Sequence, residues 1–566
     1  MSKKIVIVGG VAGGASVAAR ARRLDEGAEI VMFEKGPYVS FSNCALPYHI
    51  SGEIENAEDL LLKTPGEFQH QFKIDARVHS EVISINREEK TVEVKNHETG
   101  ESYSESYDVL FLSPGAEALR PKSIPGIMNS HVFVLKTVPD LEEIMNHLEA
   151  EAVKDAVVVG GGFIGLEVAE NLRYAGYNVS LVEAQNQVMT TLDYDMVQMI
   201  HKELYDQGIN LLVNDGVKEI TDSHVLLSSG KEIPAQAVIM SIGVRPETQL
   251  AREAGLTISE ATGAIEVNHN YQTNDSAIYA VGDAIENSCF FTGQKTSLTL
   301  AGPAQREARA AVDHAYGRTN RNRGVIGSSS IKLFDLNIAN TGFTEKQLQA
   351  HGIPYDFTYT IPKDRVGIMP DAENLHFKLL FKVPSGQIIG AQAIGKGNVD
   401  KRIDVIAAAM MMNANLEDLK DFELTYSPHF SNARGVINQA GMVGLNILNG
   451  ELNKVPMTEV RELVENDAFL IDIRSPEAFA QAHIKGAINI PFPQVRDRLA
   501  EIPKDQTVYL YCRSGQLTYN MARALEQLGY DNIMNVEGSL LGLSNYEYFN
   551  DQTADQEAIL TGYNFK

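Results

Sequence analysis

The chain has too few cysteines for a disulfide scaffold: Cys44, Cys289 and Cys512 are the only three in 566 residues. They lie far apart and at no metal-ligand spacing, so the pattern predicts a reducing, cytoplasmic setting and individually reactive thiols. Fourteen histidines likewise show no pair at metal-binding spacing, and no metal is expected. No segment reaches the roughly 20 consecutive apolar residues of a membrane span. Basic residues are outnumbered, with 49 Lys+Arg against 74 Asp+Glu and a formal charge of −25. That field repels phosphate backbones and anionic lipid, so neither nucleic acid nor membrane is expected as a partner. An anionic small molecule would need a local cluster of arginines.

Lys3 and Lys4 ahead of an apolar run superficially imitate a secretion signal. However, Ile5 to Val8 followed by Gly9, Gly10, Gly13 and Gly14 reads as a buried strand and a phosphate turn. A helix over Ala12–Leu24 and a strand over Glu29–Phe33, closed by Glu34, complete one βαβ unit. The same unit recurs with a strand over Ala156–Val159, Gly160, Gly162 and Gly165, a helix to about Ala175, a strand over Asn178–Val182, and Glu183. The glycines admit a pyrophosphate at a helix N-terminus, and the terminal acid accepts hydrogen bonds from a ribose. Two dinucleotide sites are therefore expected. Glu183 favours NADH, because a 2′-phosphate would meet a carboxylate and no arginine follows in Ala184-Gln185-Asn186-Gln187.

Tyr107–Ala116 (YDVLFLSPGA) and Thr273–Ala284 (TNDSAIYAVGDA) are short strands ending in Gly or Gly-Asp. From about 330 to 445 the pattern changes to strands with polar faces and a helix through Ile403–Met412. Asn449–Pro456 reads as a linker. Beyond it Phe469–Ile473, Gln506–Tyr511 and Asn532–Val536 form apolar strands of a further small α/β domain.

The two Rossmann units with TNDSAIYAVGDA resemble the two-dinucleotide-binding flavoprotein disulfide reductases. The resemblance implies FAD and NAD(P)H as cofactors: Gly9, Gly14, Glu34, Gly115 and Asp283 for FAD, and Gly160, Gly162, Gly165 and Glu183 for the nicotinamide nucleotide. The first loop departs from the pattern at Val11, where the middle glycine is expected. Ser40-Phe41-Ser42-Asn43-Cys44-Ala45-Leu46-Pro47-Tyr48 is similar to the single-cysteine branch, which includes coenzyme A disulfide reductases and NADH oxidases and peroxidases. By that resemblance Cys44 exchanges with a disulfide or persulfide. Ala12 stands where the oxidases and peroxidases carry a histidine, which disfavours peroxide chemistry. Arg20, Arg23, Ser40, Asn43 and Lys73 match positions that grip coenzyme A, although Arg20, Arg22 and Arg23 also complement a helix end.

Tyr426 matches a tyrosine that reaches the active-site sulfur from a partner subunit, implying a homodimer. Ile368-Met369-Pro370 lacks the second hydroxyl usual there, which counts against symmetrical coenzyme A disulfide reduction. Leu470–Arg474, Glu477-Ala478-Phe479 and His483–Pro491 resemble the rhodanese signature, with Cys512 as nucleophile before a tight loop and a helix N-terminus. Leu517 replaces an arginine found in many rhodaneses, so thiosulfate is a doubtful donor. Cys289 reads as packing.

The expected architecture is α/β throughout its catalytic parts. An FAD domain spans 1–120 and 246–328, and an NAD(P)H domain 121–245. An α+β dimerisation domain follows at 329–446, then a linker at 447–456 and a rhodanese domain at 457–566. The whole resembles a coenzyme A disulfide reductase–rhodanese fusion reducing persulfide or polysulfide. The alternatives are a coenzyme A disulfide reductase for thiol balance, or a sulfurtransferase with a regulatory flavoprotein part.

Overall fold

The computed structural model describes residues 3–150 and 152–565. They form two compact units, one drawn from residues 3–150, 152–184 and 215–325 and the other from residues 185–214 and 326–565.

In the first unit the strand Lys4–Val8 pairs in parallel with Glu29–Phe33 and Val109–Leu112. Ile278–Ala280 and Asp75–Arg77 flank them, completing a five-stranded sheet. Ile5, Val6, Ile7 and Val8 are all buried, as a strand covered on both faces requires. A second parallel set repeats the plan: Asp155–Val159 lies between Asn178–Val182 and Ala237–Met240, with Val132–Val134 beyond. The helices Ala12–Leu24 and Phe163–Tyr174 follow their respective first strands, so both βαβ units form as expected.

The second unit contains an antiparallel sheet in the order Ser328–Leu333, Leu336–Gly342, Ile388–Gly395, Leu375–Lys382, Tyr355–Thr360. The sequence suggested polar strand faces, yet Ile388–Gly395 is buried along its length and Leu375–Lys382 nearly so. The reason is that the helices Val399–Met411 and Val436–Leu448 cover the sheet. A parallel sheet in the order Lys454–Val455, Ile533–Val536, Val508–Tyr511, Phe469–Asp472, Ile488–Asn489 follows.

Two boundaries differ from expectation. The helix Val436–Leu448 enters the expected linker and Lys454–Val455 pairs with Asn535–Val536, so only 449–453 connect the two sheets. Within the stretch assigned by sequence to the NAD(P)H domain, the helix Tyr194–Asp206 groups with the second unit. Helix Tyr194–Asp206 lies against Ser539–Thr553 through ring pairs Tyr194–Tyr546, His201–Phe549 and Tyr205–Tyr548, at 6.0, 5.0 and 6.0 Å. Edge-on and tilted aromatic contacts of this kind join surfaces that periodicity alone cannot pair.

Candidate active site

Each βαβ turn is a cradle that only glycine can line. A Cβ on Gly14 would lie 1.8 Å from the Gly9 carbonyl oxygen, and one on Gly165 would lie 1.9 Å from that of Gly160. Gly9 and Gly160 themselves have φ of +95° and +104°. Gly162 and Gly115 face open space, which leaves room for a close-lying ligand. The two terminal acids are held alike: the Gly10 N–H donates to Glu34 and the Gly161 N–H to Glu183, each at 2.8 Å. These loops fit FAD and a nicotinamide dinucleotide, with amide-rich helix starts for pyrophosphate and a fixed carboxylate for each ribose. Val11 immediately precedes the first helix, its carbonyl accepting the Ala15 N–H at 2.9 Å.

Asp283 stands in the short helical turn Gly282–Ala284, 3.3 Å from the ammonium of Lys136. Glu307, missed in the sequence, accepts the Gly282 N–H at 2.9 Å, and burial pushes its carboxyl up to about 7. No spacing rule links residues 25 positions apart on separate elements.

Cys44 is exposed, in the single turn Asn43–Ala45. Its thiol lies 3.7 Å from the Asn43 side-chain oxygen. Ser40, at φ +50°, donates its N–H to the Gly10 carbonyl at 2.9 Å, tying the cysteine segment to the first phosphate turn. On the other side Tyr48 donates to Glu167 at 3.1 Å and Ser51 to Asn171 at 2.6 Å, tying it to the helix of the second turn. The thiol is thus fixed between both dinucleotide cradles. Partial enclosure pushes the Cys44 thiol up, Glu167 and Asp283 add to this, and Lys136 opposes it. Burial raises Glu167 itself to about 7, against the hydrogen bond from Tyr48. Glu167 closes the run Gly162-Phe163-Ile164-Gly165-Leu166-Glu167, one turn beyond the glycines, which is the signal by which it could have been found.

The basic group divides. Arg20 is committed to Asp313, with its Nε at 2.9 Å. Arg22 is buried and donates to the carbonyls of Phe72, Lys73, Asp25, Glu26 and Ala28, so it fastens the chain rather than a ligand. Arg23 is exposed, as is Lys73, which lies 3.2 Å from Glu26. Tyr426, in the second unit, is 51% exposed.

Cys512 ends the strand Val508–Tyr511 and is 2% exposed. The Gly515 N–H donates to its sulfur at 3.2 Å, and the hydroxyls of Thr518 and Ser539 each lie 4.0 Å away. Gly515, at φ +100°, caps the helix Gln516–Gln527, so the loop wraps the thiol in donors. Asp472 and Arg474 form a buried pair under this loop's sheet, with Nη2 to Oδ2 at 2.6 Å. Leu517 is exposed beside the loop. Cys289 is partly buried, with its N–H on the Gln294 carbonyl. Among the described residues, Asp193, Asp195 and Glu345 are the only acids grouped closely enough to hold a metal, and the Lys378 ammonium already lies among them. No described helix is long and apolar enough to cross a membrane.

Comparisons with known proteins agree with this geometry. Residues 3–308 match the family described as pyridine nucleotide-disulphide oxidoreductase, 328–436 its dimerisation domain, and 456–545 a rhodanese-like domain. The chain is 36% identical over 442 residues to a coenzyme A disulfide reductase of Staphylococcus epidermidis, covering 77% of this chain and 99% of that one. Reduced CoADR-RHD from Bacillus anthracis superposes with a TM-score of 0.93 at 44% identity, covering 97% of this chain and 99% of the other. A NAD-dependent persulfide reductase from A. fulgidus superposes at 0.90 and 30% identity, covering 95% and 99%. The cradles, the thiol between them and these likenesses lead to one assignment: the chain is an enzyme of the FAD- and NAD(P)H-dependent pyridine nucleotide-disulphide oxidoreductase family, extended by a rhodanese-like domain.

Proposed function

We propose that the protein is a homodimeric, NADH-preferring reductase of persulfide bonds carried on coenzyme A, with its rhodanese-like domain supplying sulfane sulfur. The observation that carries this reading is the placement of one exposed thiol, Cys44, between two dinucleotide cradles, in a chain that also holds a donor-wrapped thiol, Cys512. The Cys44 thiolate attacks the inner sulfur of a coenzyme A persulfide, forming a mixed disulfide with coenzyme A and expelling hydrosulfide. Bound FAD supplies the two-electron transfer from the nicotinamide that reduces this disulfide and frees coenzyme A thiol. The net reaction consumes NADH, a proton and coenzyme A persulfide, and yields NAD⁺, coenzyme A and hydrogen sulfide.

Asn43 and Ser40 hold the cysteine segment, and Arg23 and Lys73 are the exposed cations that suit phosphate groups. Tyr426, half exposed, offers a phenol to a partner subunit's sulfur, in keeping with the match to a dimerisation domain. Glu183, already fixed on Gly161, opposes a 2′-phosphate and favours NADH. Three unpaired cysteines suit the cytoplasm.

The test is anaerobic NADH oxidation with coenzyme A persulfide against coenzyme A disulfide, following sulfide release. Fast turnover of the persulfide, lost in Cys44→Ser, is expected. Faster turnover of the disulfide would reassign the enzyme to thiol balance, and activity surviving Cys44→Ser would end the mechanism.

A further inference from the structure

The turn that braces Cys512 is strained and is held in part from outside the rhodanese-like domain. Cys512 donates its N–H to the Ser539 hydroxyl at 3.2 Å, and the Leu540 N–H donates back to the Cys512 carbonyl at 3.2 Å. Ser539 has φ of +50° and Gly538 +68°, so two consecutive residues lie in the left-handed region. For serine that conformation is unfavourable and persists only where its surroundings impose it.

Those surroundings are shared between Met457 of the rhodanese-like domain, whose Cε would lie 2.7 Å from a Cβ on Gly538, and residues of the dimerisation domain. The Tyr359 ring is packed on the turn: a Cβ on Gly538 would lie 3.3 Å from Tyr359 Cε1, and one on Gly542 would lie 3.6 Å from it. The ring is fixed in turn, its hydroxyl 2.7 Å from His376 Nδ1. The backbone N–H of Tyr359 donates to Glu537 Oε1 at 3.1 Å, and Lys454 donates to the same oxygen at 3.2 Å. Glu537, 8% exposed, directly precedes the strained pair. Burial raises its carboxyl to about 7 against the attraction of Lys454. Arg513, next to Cys512, reaches Asn374 of the same antiparallel sheet at 3.4 Å.

We propose that Glu537 and Tyr359 are positioning residues for sulfur transfer at Cys512, so that this thiol is competent only while its domain is docked on the dimerisation domain. The inference rests on the reading of Cys512 as a sulfur acceptor. It adds that the acceptor geometry depends on Tyr359, outside the domain that carries the thiol, acting through Glu537 within it.

The step to be measured is attack of the Cys512 thiolate on the terminal sulfur of a polysulfide: a Cys512 persulfide anion forms and the polysulfide leaves one sulfur shorter. Full-length protein with Cys44→Ser isolates it, and rapid quench with mass detection gives both rate constant and reactive fraction. Glu537→Ala is expected to slow persulfide formation about tenfold, the scale of one lost buried hydrogen bond to a charged group, and Tyr359→Ala, which keeps the backbone N–H on Glu537 but removes the ring packed on the turn, is expected to slow it as well. Glu537→Gln, which keeps Oε1 as acceptor for Tyr359 and Lys454, is expected to stay within about threefold. A merely unfolding variant lowers the reactive fraction and leaves the rate constant of the remainder unchanged, and that result would overturn the proposal. Unchanged rates in both alanine variants would overturn it as well. If the Cys44→Ser parent itself forms no Cys512 persulfide, the reading of Cys512 as acceptor fails instead.

Discussion

Replacing Lys378 by methionine tests the most heavily buried charge cluster of the second unit. Lys378 is fully buried in the strand Leu375–Lys382, with its ammonium 2.7 Å from Asp195, 3.2 Å from Asp193 and 2.6 Å from Glu345. Burial alone would lower the lysine's pKa, but Asp195, Asp193 and Glu345 outweigh it and hold the ammonium charged. Methionine fills similar space and carries no charge. It leaves two buried aspartates facing one another, a defect of about 3–5 kcal/mol by comparison with other broken buried pairs. At about 1.4 kcal/mol per decade, the opening equilibrium of this sheet rises by a factor of roughly 10² to 4 × 10³.

Hydrogen exchange of the Leu375–Lys382 amides, followed by mass spectrometry at pH 8, measures that factor for this element without requiring two-state unfolding of the whole chain. The pH dependence has a definite sign. Asp193 is raised from 3.8 to about 6 by burial, so its contribution to stability is present below 3.8 and lost as pH rises through 6. Without Lys378 the Asp193 carboxyl moves higher still, so the deficit of the variant shrinks as pH falls below about 6. A protection loss of less than about tenfold at pH 8, or a deficit that grows on acidification, would refute the reasoning.

Two further expectations concern the first unit. Glu167→Gln removes a carboxylate that disfavours the Cys44 thiolate, so the pH midpoint for alkylation of Cys44 by iodoacetamide should fall, and a rise would contradict the electrostatic account. Gly165→Ala sets a methyl against the Gly160 carbonyl, a clash with backbone that costs about 1–3 kcal/mol. NADH should then bind about 5- to 150-fold more weakly while bound FAD is retained, as titration of nicotinamide-induced absorbance changes would show.

The parts most legible in the sequence were those built from consecutive residues. Both glycine turns, their following helices and the acids Glu34 and Glu183 lie within single βαβ units, where local spacing determines which atoms meet. Cys44 and Cys512 stood out because each sits in a short motif whose neighbours shape its turn. What the sequence did not reveal joins distant segments. Glu307 on Gly282, Tyr48 on Glu167, and Tyr359 on Glu537 are separated by 25, 119 and 178 residues, and no periodicity encodes such pairs. Contacts of Arg20 and Arg22 were equally hidden, since a run of arginines does not reveal that Asp313 engages the first and five backbone carbonyls the second.

The packing of helix Tyr194–Asp206 against Ser539–Thr553 bears on how such a chain can be dissected. A stop codon placed in 449–453 would remove the rings of Tyr546, Tyr548 and Phe549 and leave Tyr194, His201 and Tyr205 facing solvent, together with the ring of Tyr359. A shortened version of the present protein would therefore need a resurfaced helix before it could serve as a model of the reductase alone.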